Sequence, residues 1–114
     1  MSNLVNFAEQ FGFLEVRGER QGDIYVILLT GELDLAGVAE VNKELRLAEA
    51  SDARQIVLDV TGLTFIDSSG VRMVIEAHAR SQADGDRLAL TPAAAPVQRI
   101  FDMTGLTGRL RFTS

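Results

Sequence analysis

Cysteine is absent from this 114-residue chain, which removes disulfides and thiolate chemistry and suits a reducing compartment. A single histidine, His78, leaves a structural zinc site almost without ligands, and no metal is expected. Positive charge is in short supply, with 11 Lys and Arg against 16 Asp and Glu and a formal net charge of −5. That balance argues against a grip on phosphate backbones, so no direct nucleic-acid partner is expected. No apolar run approaches the roughly 20 residues needed to span a bilayer. The opening MSNLVNFAEQFGF lacks the basic n-region and continuous apolar h-region of a signal peptide. The expectation is a small cytoplasmic protein with no membrane partner.

What is present suits one folded domain. Apolar residues make up 46% and charged residues 24%, near the average for a globular chain. The length supports one core and not two. Residues 1–12 are mixed in character and read as an N-terminal arm, with a single domain over residues 13–114.

Strand and helix patterns alternate along that domain. Phe13 to Arg17 alternates as a half-exposed strand does, and Gly18 to Asp23 reads as a hairpin connection. Ile24 to Leu29 is a continuous β-favouring run, as expected of a strand buried on both faces. Leu35, Val38, Val41, Leu45 and Ala48 recur at steps of three and four and mark one helix face. Gln55 to Val60 is another strand, and Val71, Val74, Ile75 and His78 mark a second helix ending near Asp84-Gly85-Asp86. Leu88 to Leu90 is a fourth strand. Pro96 suits the first turn of a third helix bearing Val97, Ile100 and Phe101, which Gly105 and Leu106 close in a Schellman-like cap. Arg109 to Phe112 alternates as a short edge strand, and an exposed edge near Leu110 and Phe112 offers a route to a weak homodimer. The order predicts an α/β fold: a mixed, mostly parallel sheet of four to five strands with three to four helices.

Open sheets of this kind meet ligands and partners at the carboxyl ends of parallel strands. Two segments fall there, Thr30 to Asp34 and Thr64 to Gly70, so Glu32, Asp34, Asp67, Ser68 and Ser69 form a candidate constellation. Each also has a plain structural reading. Asp34 precedes an apolar helical pattern as an N-cap does, and Ser68 or Ser69 could cap the helix that begins near Gly70.

Catalysis finds little support in these residues. A nucleophile elbow needs Gly-x-Ser-x-Gly, but Asp67 stands two before Ser69. On one helix, the nine residues from Ser69 to His78 span about 13 Å, far beyond the roughly 3 Å of a nucleophile–base pair. His78 shares its face with Val74 and Ile75 and reads as a half-buried core histidine. There is no Gly-x-x-x-x-Gly-Lys loop for nucleotide phosphates. No catalytic residue and no cofactor are therefore assigned. A hydroxyl at a helix start beside carboxylates is better placed to be acted upon. A phosphate there adds about −1.5 to −2 charge, which the helix start tolerates and a partner shaped for a neutral hydroxyl does not.

Gly31-Glu32-Leu33-Asp34-Leu35, with Leu58-Asp59-Val60 leading to Phe65-Ile66-Asp67-Ser68-Ser69-Gly70-Val71, closely resembles the anti-sigma factor antagonists of the STAS domain family. The tail from Val97 to Leu106 resembles that family's last helix and its Thr-Gly-Leu ending, so the likeness runs from about Phe13 to Phe112. The resemblance implies a partner switch in which the unmodified antagonist binds an anti-sigma factor that is also a serine kinase, releasing a sigma factor. It places phosphorylation on the second serine of the motif, Ser69, and reversal by a PP2C-type phosphatase. Asp34 and Asp67 map onto acidic positions flanking that serine. The implied partner surface comprises Glu32, Asp34, Asp67, Ser68, Ser69, Gly70 and Arg72. Arg72 stands where the family commonly has a small residue; it could reach a phosphate on Ser69, crowd the docking surface or select a partner. A STAS module of a stress-sensing or transport-associated complex, or a small-molecule-sensing STAS domain, is the alternative.

Overall fold

The computed structural model describes residues 13–113, and the arm expected over residues 1–12 lies outside the described residues. Strands β1 (Leu14–Gln21), β2 (Ile24–Leu33), β3 (Gln55–Ile66) and β4 (Leu88–Leu90) alternate with helices α1 (Leu35–Ala50), α2 (Ser68–Ala83) and α3 (Ala95–Met103), followed by a 3₁₀ turn at Leu106–Gly108. The sheet order is β1-β2-β3-β4. β1 pairs antiparallel with β2, while β2 with β3 and β3 with β4 run parallel. The mixed, mostly parallel sheet is as expected, with four strands and three helices among the described residues.

Several local readings change. β1 continues through the polar stretch to Gln21, leaving a two-residue hairpin loop in which Gly22 supplies a φ of +60°. The run in β2 is not buried on both faces. Ile27 and Leu29 are sealed beneath the helices, whereas Ile24, Val26 and Leu28 on the other face are only partly covered. Ile27, Leu58 and Leu90 lie in register on the sealed face, and the helices pack there through Val41, Leu45, Val74, Ala77, Val97 and Phe101. Burying each of these side chains larger than alanine contributes about 1.5–3 kcal/mol. The fifth strand reduces to one parallel bridge between Leu90 and Phe112. Leu110 is buried, Phe112 packs against Phe101 at a ring separation of 6.2 Å, and Arg111 and Thr113 bond to Leu90, so the expected dimer edge is largely closed. Gly105 does end α3 with a φ of +76°, and Leu106 joins the core.

Two polar contacts lock the helical layer to the sheet. Arg87, beside β4, donates to the carbonyls of Glu49 at 2.7 Å, Ala53 at 2.8 Å and Ser51 at 3.2 Å. It thus satisfies the Glu49 and Ser51 carbonyls at the end of α1 and the Ala53 carbonyl in the loop that follows. On β2, Tyr25 donates its hydroxyl to Glu44 of α1 at 2.6 Å. Ionising the phenol would lose that donor and set two negative charges together, so the bond to Glu44, with burial and charge in support, raises the Tyr25 pKa above 10.0. A raised folded-state pKa means this stability is full below pH 10 and fades as pH rises through the folded value. Tyr25 is the sole tyrosine and tryptophan is absent. Ultraviolet titration near about 295 nm therefore reads this group alone; we expect a midpoint above that of the urea-unfolded chain, and Glu44→Gln should lower it.

Candidate functional site

Strands β2 and β3 each pass into the following helix through a single aspartate. β2 ends at Leu33 and α1 begins at Leu35; β3 ends at Ile66 and α2 begins at Ser68. Asp34 and Asp67 are both extended, with φ, ψ of −124°, −173° and −103°, −175°. Their carboxylates accept from the amides of Ala36 at 3.1 Å and Gly70 at 3.0 Å. Both are therefore N-caps, as expected for Asp34. The expectation that Ser68 or Ser69 caps α2 is overturned, because Asp67 occupies that position.

The two junctions lie side by side, as parallel pairing requires. The Asp67 amide donates to the Leu33 carbonyl at 3.1 Å, and Thr64 Oγ1 donates to the Gly31 carbonyl at 3.2 Å. Much of what reads as loop in the sequence is strand, since pairing continues through Glu32 with Phe65 and Leu33 with Ile66. Register shifts between Leu28 and Thr30 and between Gly31 and Glu32 absorb the irregularity. Gly31 is required here: its φ is +108° and a Cβ would fall 2.1 Å from the Phe13 carbonyl oxygen. Gly70 is required for a different reason. A Cβ on it would lie 2.7 Å from Ile66 Cγ1 and 2.9 Å from Leu33 Cγ, so glycine lets α2 start directly against both strand ends.

Ser68 and Ser69 occupy the first two positions of α2, and neither hydroxyl makes a hydrogen bond among the described residues. Ser68 is exposed and Ser69 half-buried. A cleft of about 360 Å³ between α1 and α2 is lined by Leu35, Val38, both serines, Arg72, Met73 and Glu76. On the other side of α2, a groove of about 390 Å³ runs to α3 and is lined by Ile66, Asp67, Ser68, Val71, Arg72, Ile75, Ile100 and Thr104. The structure thus brings Asp67, Ser68, Ser69 and Arg72 together. Glu32 and Asp34 stand at the adjoining strand end but line neither hollow, and Gly70 is buried beneath.

Helical spacing places Leu35 and Ile75 on the apolar faces of their helices, yet they are 74% and 37% exposed and wall the two hollows. Phe65 and Met103 are exposed as well, at 46% and 76%. Leu35 is the first residue of α1, ahead of the buried stretch of that helix, whereas Ile75 lies mid-helix beside buried Val74 and Ala77 and is exposed on the flank of α2. The contribution of α3 had no local signal.

Similarity to known proteins agrees with this geometry. The family model described as "Mlab, STAS domain" matches residues 16–112. The chain belongs to the STAS family. An anti-sigma F factor antagonist from Paenibacillus polymyxa is 31% identical to this STAS domain over 96 residues, covering 82% of this chain and 80% of that protein. The solved structure of the anti-sigma factor antagonist SpoIIAA in its unphosphorylated form superposes with a TM-score of 0.72 at 25% identity, covering 88% of this chain and 89% of that one. The phosphorylated form of the Bacillus cell fate determinant SpoIIAA shares the fold, with a TM-score of 0.65 at 24% identity and coverage of 90% and 92%.

The caps of this STAS domain can be tested by urea unfolding. Asp67→Ala should cost about 0.5–2 kcal/mol. Ser68→Ala and Ser69→Ala should each stay within about 0.5 kcal/mol, because neither hydroxyl caps the helix. Gly70→Ala should cost about 1–3 kcal/mol through overpacking against Ile66 and Leu33. A larger loss for Ser69→Ala than for Asp67→Ala would contradict the assignment of the cap.

Proposed function

We propose that this STAS domain is an anti-sigma factor antagonist that works as a phosphorylation-controlled binding protein and not as a catalyst. Its partner in this reading is an anti-sigma factor with serine kinase activity, its acceptor is Ser69, a PP2C-type phosphatase restores the binding form, and its setting is the cytoplasm. The observation that carries the reading is the division of labour at the start of α2. Asp67 takes the cap, so the Ser69 hydroxyl has no structural duty and sits half-buried in a cleft with an exposed apolar rim. The same segment carries the family motif, and relatives bearing the antagonist name match about four fifths of the chain.

The physics of the switch follows from that position. A phosphate at the second residue of α2 lies where free amides and the helix dipole favour an anion, so the fold tolerates it. A partner packed on Leu35, Phe65, Ile75 and Met103 around a neutral hydroxyl would have to desolvate the new charge beside Asp67. Glu32, Asp34 and Ser68 extend that surface, and Gly70 shapes it from beneath. Modification thereby alters binding and leaves folding intact.

Incubation with the partner kinase and ATP, followed by mass-spectrometric mapping, tests the assignment. Phosphate is expected on Ser69, with Ser68→Ala still modified. Ser69→Ala should bind the anti-sigma factor constitutively, and Ser69→Asp should fold equally well but bind at least about tenfold more weakly, equivalent to about 1.4 kcal/mol. Phosphate on Ser68, Thr64 or Thr61 with Ser69 unmodified would overturn the choice of acceptor. No phosphate at any site would favour an unregulated STAS module of a larger assembly.

A further inference from the structure

We propose that Arg72 is a built-in counter-ion for phosphoserine at position 69, so that modification creates a phosphate–guanidinium pair along α2. The inference rests on the reading of Ser69 as the acceptor and adds a residue that shapes the modified state.

Three observations carry it. First, Arg72 lies three residues after Ser69 on one continuous helix, the spacing at which side chains face each other with Cβ atoms about 5–6 Å apart. Second, both residues line the same α1–α2 cleft. Third, Arg72 is exposed and forms no ion pair among the described residues, although Glu76 stands four residues further along the same cleft.

The missing Arg72–Glu76 pair has a physical reason. Helical ion pairs favour the acid on the N-terminal side of the base, in keeping with the helix dipole, and Arg72 precedes Glu76. A phosphate on Ser69 would place the acid N-terminal to the base. It would also offer three acceptor oxygens to a planar fork that binds phosphate through two parallel bonds.

The surroundings leave that geometry open. From α1 the cleft receives Leu35 and Val38, neither of which carries charge. Asp34, next to Leu35, has its carboxylate on the Ala36 amide, and Asp67 has its own on the Gly70 amide. Glu76 is the remaining acid of the cleft among the described residues, and it lies seven residues from Ser69 with Arg72 between them. Phosphorylation then builds an acid–base–acid row on one helix face. The Arg72 cation, without an ion pair among the described residues of the unmodified protein, is taken up by the phosphate in the modified one.

The test needs no kinase. Phosphoserine is installed at position 69 of the full chain by genetic code expansion, and its second ionisation is followed by phosphorus NMR against pH. A free phosphoserine titrates near about 6, and an adjacent cation lowers that value. We expect the wild-type chain to titrate at least about half a pH unit below Arg72→Gln, with Arg72→Lys in between because it keeps the charge and loses the fork. Amide NMR dispersion confirms that the variants keep the fold, as an exposed helical position should. Identical titration of wild type and Arg72→Gln would overturn the pairing and leave the acceptor reading standing. Failure of a kinase to modify Ser69 would defeat the acceptor reading without altering this result.

Discussion

The hydrogen bond from the Asp67 amide to the Leu33 carbonyl is the contact on which the site depends. It joins the last residue of β2 to the residue that turns β3 into α2. With one residue at each junction, no slack exists through which the helix starts could drift. A parallel sheet brings both junctions to one edge, and this bond holds them in register. Gly70 then allows α2 to seat against Leu33 and Ile66 with no side chain between them. The serines are consequently displayed on a rigid helix start and not on a mobile loop.

That rigidity suits a switch of binding. A hydroxyl on a fixed platform can present a constant shape to a partner, and a phosphate on it changes charge without changing the fold. The division of duties between Asp67 and Ser69 makes this possible. If the regulated hydroxyl were also the cap, each modification would cost helix stability, by an amount near the capping contribution itself. Placing the cap on a carboxylate two residues earlier keeps folding separate from the proposed modification of Ser69.

Stability of the platform is supplied from the opposite end of the molecule. Arg87 closes the carbonyl end of α1 at Glu49, Ser51 and Ala53, and Arg80 of α2 meets Glu49 at 3.1 Å. Ser81, buried in α2, accepts from the Leu88 amide at 2.8 Å and fixes the helix to β4. These contacts tie α1, α2 and the start of β4 together far from the serines. The site end is left with few polar ties and several exposed apolar side chains, which is where a partner can bind without displacing structural bonds.

The sequence by itself determined the order of elements, the parallel core of the sheet, the capping role of Asp34 and the segment that carries Ser69. Each is written in local periodicity or in residue chemistry within a few positions. Only the tertiary structure decided how far the strands run, since continuation through Glu32, Leu33, Phe65 and Ile66 depends on backbone partners remote in sequence. It alone separated Asp67 from the two serines as the cap, because all three residue types can accept from a helix amide and the choice lies in where the β3 pairing stops. It alone left Leu35 and Ile75 exposed, because helical spacing specifies a face while the packing of the neighbouring elements decides how much of that face is covered. The groove formed with α3 likewise brings Ile100 and Val71 into one lining, residues that share no local pattern.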